Sequence, residues 1–352
     1  MRLHNNMNLT LDKQYVLDFA QRLLTIDSPS SYTKKAAEML QQEAEALGYS
    51  TYFNQKGNLY INVSGENSEE TIALTAHFDT LGLMVRSIKS DGKLAVTKIG
   101  GPLMPTLDGE YCRIYTRTGN CYKGTVLSTS CAAHVYKDSA DLVRDEEHME
   151  VRIDELVNSA EDVKKLGIEN GDIIAIDPKV EILENGFIKS RFLDDKISVS
   201  AIMGVLHALS TANQKPKCNI LIMLTSFEEV GHGGCWVPEG VSEVLAVDMG
   251  CIGLDLSCSE QDVSICAKDS GGPYDYEMTS KLIALAKELK LSYAVDIYPF
   301  YRSDVTAALH AGNDIRGALI GPGVHASHGM ERTHYRAVEQ TMRLIAAYIC
   351  TK

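Results

Sequence analysis

The segment Thr225-Ser226-Phe227-Glu228-Glu229-Val230-Gly231-His232-Gly233-Gly234 sets two adjacent carboxylates where the apolar run Ile220–Leu224 gives way to a glycine-rich turn. A buried strand ending in two acids needs cations to offset their desolvation. Alternation along a strand sends neighbouring side chains to opposite sides, so one glutamate can bind a metal ion while the other reaches a water. Those are two tasks of metal-assisted hydrolysis. Further acids and histidines fall at similar places. His77 and Asp79 follow the apolar run Thr71–Ala76, Asp248 follows Leu245-Ala246-Val247, and Asp194-Asp195 follow Phe192-Leu193. His328 lies in Gly323-Val324-His325-Ala326-Ser327-His328-Gly329, beyond the run Arg316–Ile320.

Taken singly, each piece has an ordinary explanation. A His-x-Asp after a strand is commonly a satisfied polar pair, a lone Asp at a strand end a turn residue, and Asp194-Asp195 a cap for the helix that follows. Paired glutamates usually face solvent. The ordinary explanation is weakest for Glu228-Glu229, which interrupt a core strand. The set as a whole, with every member at a strand end or just beyond it, points to one site.

The elements that would carry this set alternate between helix and strand. Ser30 and Ser31 are placed to cap a helix whose apolar face is Ala36, Ala37, Leu40, Ala44 and Leu47, closed by Gly48. Strands are expected over 71–76, 219–224, 244–247 and 316–320, with helices around 197–209, 277–289 and 335–349. Such a rhythm favours a largely parallel sheet with helices on both faces, and ligands gather at the carboxyl ends of its strands. Between about Leu83 and Gly186 the texture changes to short strand-like pieces, such as 94–99, 111–116 and 171–176, with one short helix at 163–166. A small β-rich domain, residues 83–185, is therefore expected within a discontinuous α/β domain of residues 1–82 and 186–352.

The chain has 352 residues, 45% hydrophobic and 23% charged, with 47 acids against 34 lysines and arginines and a formal net charge of -13. That balance argues against nucleic acid or an anionic membrane surface as partner. No apolar run approaches the roughly 18–20 residues of a membrane span. The start, Met1-Arg2-Leu3-His4-Asn5-Asn6, lacks the apolar core of a secretory signal. Nine cysteines, an odd number without a Cys-x-x-Cys pair, suit neither a disulfide framework nor a zinc knuckle. Cys218, Cys251 and Cys266 read as small core residues. A reduced, cytoplasmic compartment is the expectation. No Gly-x-Ser-x-Gly elbow or phosphate loop is present.

The ordered set Ala76-His77-Phe78-Asp79, Leu193-Asp194-Asp195-Lys196, Ser226-Phe227-Glu228-Glu229-Val230-Gly231 and Ala246-Val247-Asp248 resembles the tetrahedral aminopeptidases, family 42 of the metallopeptidases. The likeness runs nearly end to end. It includes Asp91-Gly92, Ile99-Gly100-Gly101 and Leu166–Asp172 in the inserted segment. It implies a three-layer α/β/α zinc-peptidase-like domain with an inserted β-rich dimerisation domain. It also implies two divalent metal ions per subunit (zinc, cobalt or manganese), with His77 and Asp248 on one, Glu229 and His328 on the other, and Asp194 between them. Glu228 would be the general base acting on the shared water, Asp79 would fix the tautomer of His77, and Asp195 would shape the bridge. Dimers of this family build a hollow tetrahedral dodecamer.

Three departures stand out. His325, His328 and His334 compete for the last ligand position, with His328 favoured because Glu331 follows it closely. Lys196 stands where the family has arginine, and lysine cannot make the same bidentate contact. Ser303-Asp304-Val305-Thr306 replaces the usual Thr-Asp-Ala-Gly. Asp269, Gly271, Gly272 and Asp304 are candidate substrate contacts, and His232 a candidate supporting residue beside the glutamates. His134 reads as a loop histidine and His207 as structural. The expected activity is removal of N-terminal residues from peptides. A deacylase or amidohydrolase acting on a small N-acylated or amidated metabolite is the alternative, and an assembly protein without catalysis a second one. A sugar-chain hydrolase has little support, since Trp236 is the only tryptophan.

Overall fold

A computed structural model describes residues 9–351, so the Met1–Asn6 stretch read above for a targeting signal lies outside the described residues. The chain opens with α1 (Lys13–Leu24) and α2 (Lys34–Ala46), then β1 (Ser50–Phe53), β2 (Leu59–Val63) and β3 (Asn67–His77). Next come β4 (Gly82–Ile88), β5 (Leu94–Ile99), β6 (Tyr111–Tyr115), β7 (Cys121–Ser128), β8 (Met149–Ile153), α3 (Ala160–Lys165) and β9 (Ile173–Ile176). The chain re-enters the main body through β10 (Glu181–Ile182), β11 (Phe187–Ser190), α4 (Leu193–Ala212), β12 (Cys218–Thr225), β13 (Val241–Val247) and β14 (Gly250–Cys251). It ends with β15 (Val263–Asp269), β16 (Gly272–Pro273), α5 (Tyr276–Glu288), β17 (Tyr293–Ile297), α6 (Asp304–His310), β18 (Arg316–Val324), β19 (Glu331–His334) and α7 (Tyr335–Cys350).

The main sheet runs β1-β2-β12-β3-β13-β18-β15-β16, with β17 beside β15 and β14 beside β18. Its centre, β12-β3-β13-β18, is wholly parallel. The antiparallel pairs lie outside that centre, at β1-β2, β2-β12, β15-β18 and β15-β16. Period-two alternation divides the core. Ile220, Ile222 and Leu224 of β12 join a large cluster with residues of α1, α2, α4, α5 and α7, whereas Leu221 and Met223 join a smaller one beneath α6. The layers are thus unequal, with five helices on one face and the short α6 with loops on the other. Each fully buried leucine or isoleucine in these clusters contributes roughly 1.5–3 kcal/mol. The most enclosed helix is α4, which packs between α1 and α7. There Gly204 permits the approach, because a Cβ would meet Val16 Cγ2 at 2.6 Å and Met342 Sδ at 2.7 Å.

Strands β4-β5-β8-β7-β6-β9 close into a separate barrel with its own core, including Leu83, Val96, Ile114, Val126 and Val151. Among the described residues, no helix is long and apolar enough to cross a membrane, and all nine cysteines are free. One local expectation is corrected. Helix α2 starts after Thr33, not after Ser30 or Ser31. Ser30 turns its hydroxyl into the core instead, toward Asp79.

Candidate metal centre

Parallel register brings three strand ends to one edge. His77 closes β3 opposite Thr225, the last residue of β12, and Asp248 directly follows β13. The fourth contributor is the start of α4, where Asp194 and Asp195 keep non-helical φ/ψ, which separates their two carboxylates. Beneath Asp248 the β18 backbone passes so closely that a Cβ on Gly321 would lie 1.8 Å from the Asp248 carbonyl oxygen. Only glycine lets that strand support the acid.

Ligand atoms of His77, Asp194 and Glu229 lie within 4.8 Å of one another, as do those of His77, Asp195 and Asp248. His77 Nε2 is 3.0 Å from Asp194 Oδ1 and 3.7 Å from Glu228 Oε2. His328 Nε2 lies 3.5 Å from Asp194 Oδ2 and 3.7 Å from Glu229 Oε2. Asp194 therefore stands between the two histidines. Asp195 is drawn in more directly than the resemblance implied. Its Oδ2 accepts from the His77 backbone N–H, and its carboxylate shares the second group with Asp248. His325 and His334 point elsewhere. His325 is exposed and its backbone pairs with Arg332, whereas His334 caps α7 and places Nε2 2.9 Å from the Asn185 carbonyl.

The electrostatics of this pocket are those of a cation site. Asp195 Oδ1, Glu229 Oε1 and Asp248 Oδ1 are buried and have no hydrogen-bond partner among the described residues. Burial pushes the Asp248 carboxyl up to about 7, and the charge of Asp194 adds to the push. Burial likewise carries Glu228 and Glu229 well above the carboxylate range, with neighbouring acids adding and His77 offsetting part. Burial works against protonated His77, but hydrogen bonds to Asp194 and Asp79 outweigh it and raise its pKa. Asp194 is held low: burial opposes this, but the bonds to His328 and His77 prevail. The lysine next in sequence does not help, because Lys196 Nζ donates to the Ile26 carbonyl at 2.6 Å. Buried acids without a protein cation are costly, and an oxygen-and-imidazole set of this kind fits divalent metal ions.

A supporting layer holds these groups, and much of it was not legible in sequence. Glu331 is fully buried and accepts from the backbones of two candidate ligands, Asp194 N–H at 3.0 Å and His328 N–H at 3.0 Å. Asp79 accepts from the Glu228 and Glu229 N–H groups at 3.1 and 3.4 Å. Its backbone carbonyl, 3.1 Å from His77 Nδ1, is a closer partner for that ring than its carboxylate at 3.5 Å. The barrel contributes as well. The Gly101 carbonyl lies 2.9 Å from His328 Nδ1, which leaves Nε2 facing the acids. Gly100, at φ +70°, lets the chain pass Glu229, since a Cβ there would be 3.2 Å from the Glu229 carbonyl oxygen. Asn58 braces the glutamate loop by accepting from Ser226 N–H and donating to the Gly233 carbonyl. Phe227 adopts φ +71°, an uncommon conformation for a bulky side chain, immediately before Glu228. The nearest sequence signal for this layer was the glycine pair 100–101 and the closeness of Glu331 to His328.

The other candidate residues take different positions. Asp304 is buried and both of its carboxylate oxygens are bonded. Its Oδ2 accepts from Thr75 and Thr225 and its Oδ1 from Gly234 N–H, so it ties β3, β12 and the glycine turn together. Strand β15 runs antiparallel to β18, so its carboxyl end is carried away from the edge that holds Asp248. Asp269, Gly271 and Gly272 therefore line a separate small cavity of about 40 Å³ with Tyr274 and Thr306. The Asp269 carboxylate is satisfied there by Tyr274, Thr306 and Gly271 N–H. His232 is exposed and stacks on Phe227 with its Nδ1 near Lys56, away from the acids. His134 is exposed in the barrel's long loop, and His207 stacks on Tyr15.

The sequence profile described as M42 glutamyl aminopeptidase matches residues 57–344. A Bacillus subtilis (strain 168) protein named "Putative aminopeptidase YhfE" is 40% identical over 95% of this chain and 96% of its own length. Among solved structures, aminopeptidase APDkam598 from the archaeon Desulfurococcus kamchatkensis superposes with a TM-score of 0.86 at 22% identity, covering 97% of this chain and 96% of that one. The TET1 peptidase of Pyrococcus horikoshii, described as assembling into a tetrahedron or a large octahedral shell, superposes at 0.82 with 20% identity, covering 95% of this chain and 99% of that one. At such identities the two structural likenesses speak for the fold.

Proposed function

The chain belongs to the M42 glutamyl aminopeptidase family, and from that membership we propose that it is a two-metal aminopeptidase whose general base is Glu228. The observation that carries the reading is the convergence around His77 of carboxylates whose buried oxygens lack partners, with the Glu228 carboxylate 3.7 Å from that histidine. His77, Asp194, Asp195, Glu229, Asp248 and His328 would hold two divalent ions, with zinc, cobalt and manganese all compatible with these donors. When bound, such ions polarise a scissile carbonyl and lower the pKa of a water toward neutrality. Glu228 receives the proton from the attacking water and returns it to the departing amine. Burial and neighbouring acids raise its proton affinity, which suits a group that must both take and release a proton. Asp79 fixes where that carboxylate stands by holding the Glu228 and Glu229 N–H groups. The barrel would serve as the dimerisation unit, and dimers would assemble further into a shell, in line with the description of the P. horikoshii protein.

The test is hydrolysis of a panel of aminoacyl anilides, short peptides and N-acyl amino acids by the metal-loaded protein, beside Glu228→Gln. We expect turnover of substrates with a free amino terminus, and a Gln variant that binds its metal ions but loses most of its rate. Turnover of N-acyl amino acids alone would reassign the enzyme as a deacylase. Full activity of the Gln variant would remove Glu228 from the base role.

A further inference from the structure

We infer that the segment Ile26–Ser30 is a positioning strap that fixes Asp79, and through it the Glu228-Glu229 loop, for catalysis. Although remote in sequence from every acid of the site, the segment runs alongside Phe78–Thr80 as an added edge. Pro29 and Thr80 form a parallel bridge, Thr80 N–H donates to the Ser28 carbonyl at 2.9 Å, and Ser30 N–H donates to the Thr80 carbonyl at 3.2 Å. Two side chains complete the seam. Ser28 Oγ donates to the Phe78 carbonyl at 2.8 Å, and Ser30 Oγ donates to Asp79 Oδ2 at 2.5 Å. Both serines are buried, at 0% and 3% exposure, so water cannot replace either bond.

The Ser30 bond is the one that reaches the chemistry. Asp79 Oδ1 accepts from Glu228 N–H, while Oδ2 is shared between Ser30 Oγ and Glu229 N–H. A carboxylate held at one oxygen by a hydroxyl can rotate about χ2 only by breaking that bond. While it stays still, both glutamate backbones stay with it. The strap is itself held at its far end. Lys196 Nζ donates to the Ile26 carbonyl at 2.6 Å, and Asp27 receives Arg113 Nε at 2.5 Å, Arg113 Nη2 at 2.7 Å and Tyr115 Oη at 2.6 Å. Arg113 and Tyr115 belong to the barrel strand β6. Lys196, a departure from the family's arginine, thus acquires a role: one compact donor suits one carbonyl.

The strap separates two functions of Asp79. His77 Nδ1 lies nearer the Asp79 backbone carbonyl, which the Ser30 hydroxyl does not touch. Loss of that hydroxyl should therefore loosen the base and leave the metal-binding imidazole in place. The inference rests on the reading of Glu228 as base, so Glu228→Gln is measured in the same assay. For Ser30→Ala we expect kcat to fall about 10- to 100-fold, the range for lost supporting hydrogen bonds at such sites. KM should stay within about twofold, as should the zinc dissociation constant of the metal-free protein measured by calorimetry. Ser210→Ala, which removes a hydroxyl donating to the Leu47 carbonyl far along α4, serves as the matched loss of a serine bond and should leave kcat unchanged. The strap is refuted if Ser30→Ala keeps wild-type kcat, if it only lowers the melting temperature as Ser210→Ala does, or if its rate loss is matched by lost zinc affinity. Should Glu228→Gln remain active, the base assignment fails instead, whatever Ser30→Ala does.

Discussion

Asp27 and Asp248 are both enclosed carboxylates, yet the protein treats them in opposite ways. Asp27, with 7% of its side chain exposed, receives three donors, two of them from the guanidinium of Arg113. The pairing raises the proton affinity of Arg113, chiefly through its hydrogen bond to Asp27. Asp248, buried to 5%, keeps one oxygen without a donor and has its carboxyl pushed up to about 7 by burial and by Asp194. The first acid joins the barrel to the main body and brings its own cation. The second stands in a group of acids beside which, among the described residues, the bases are His77 and His328. The structural acid is matched by the chain, whereas the proposed ligand acid is left without a protein cation of its own.

That contrast can be broken or sharpened by experiment. The largest effect should come from chelation, which leaves the Asp27 pair intact and removes the cations that the acids require. Turnover should vanish and return on adding zinc, cobalt or manganese. Saturating metal at a thousandfold excess over its Kd should stabilise the fold by about 4 kcal/mol. A chelated enzyme with full activity would end the metal assignment. Glu228→Gln comes next, with kcat lowered about 10²- to 10⁴-fold and metal content by elemental analysis unchanged.

The matched acid should answer differently. Arg113→Ala leaves Asp27 enclosed without its cation and should cost about 2 kcal/mol in urea denaturation, less than for a fully buried pair because Arg113 is 27% exposed. A double-mutant cycle with Asp27→Ala should recover a coupling of about 1–3 kcal/mol. Metal affinity should not move.

The smallest and most diagnostic effect is on pH dependence. In the metal-free protein the folded-state pKa of Asp248 lies above its unfolded value, so the folded state holds a proton that the unfolded chain releases. Its stability contribution is fully present below about pH 4 and is lost as pH rises through about 7. Glu228 and Glu229 are shifted in the same direction. The melting temperature of the metal-free protein should therefore fall between pH 5 and 8, by about 1–5 °C, while that of the metal-saturated protein stays nearly level. Equal slopes for the two forms would mean that the acids are not the groups that metal ions neutralise.

Much of the candidate site is legible in the sequence because its members end strands. Each of His77, Glu228-Glu229 and Asp248 follows an apolar run, and a polar residue there must either find a partner or bind one. Hydrophobic pattern alone did not say where Asp269 would fall. That residue also follows an apolar run, but the direction of β15 is reversed relative to β18, and strand polarity is not encoded in a hydrophobic pattern. Nor did it place Asp304, whose Oδ2 accepts from the Thr75 and Thr225 hydroxyls. Ser30 carried an expected role as a helix cap, since nothing local distinguishes a serine that caps a helix from one that crosses to a neighbouring strand.

The sequence by itself determined which residues could be ligands, their order, the alternation of helix and strand, and the family. Those properties follow from residue type, apolar periodicity and short spacing, all of which act over a few residues. Only the tertiary structure decided which of three histidines meets the acids, which carbonyl orients it and which serine holds Asp79. The Gly101–His328 and Ser30–Asp79 contacts span 227 and 49 positions. They exist because the barrel and an edge segment pack against the strand ends, and such packing depends on how whole layers meet, which no local pattern records.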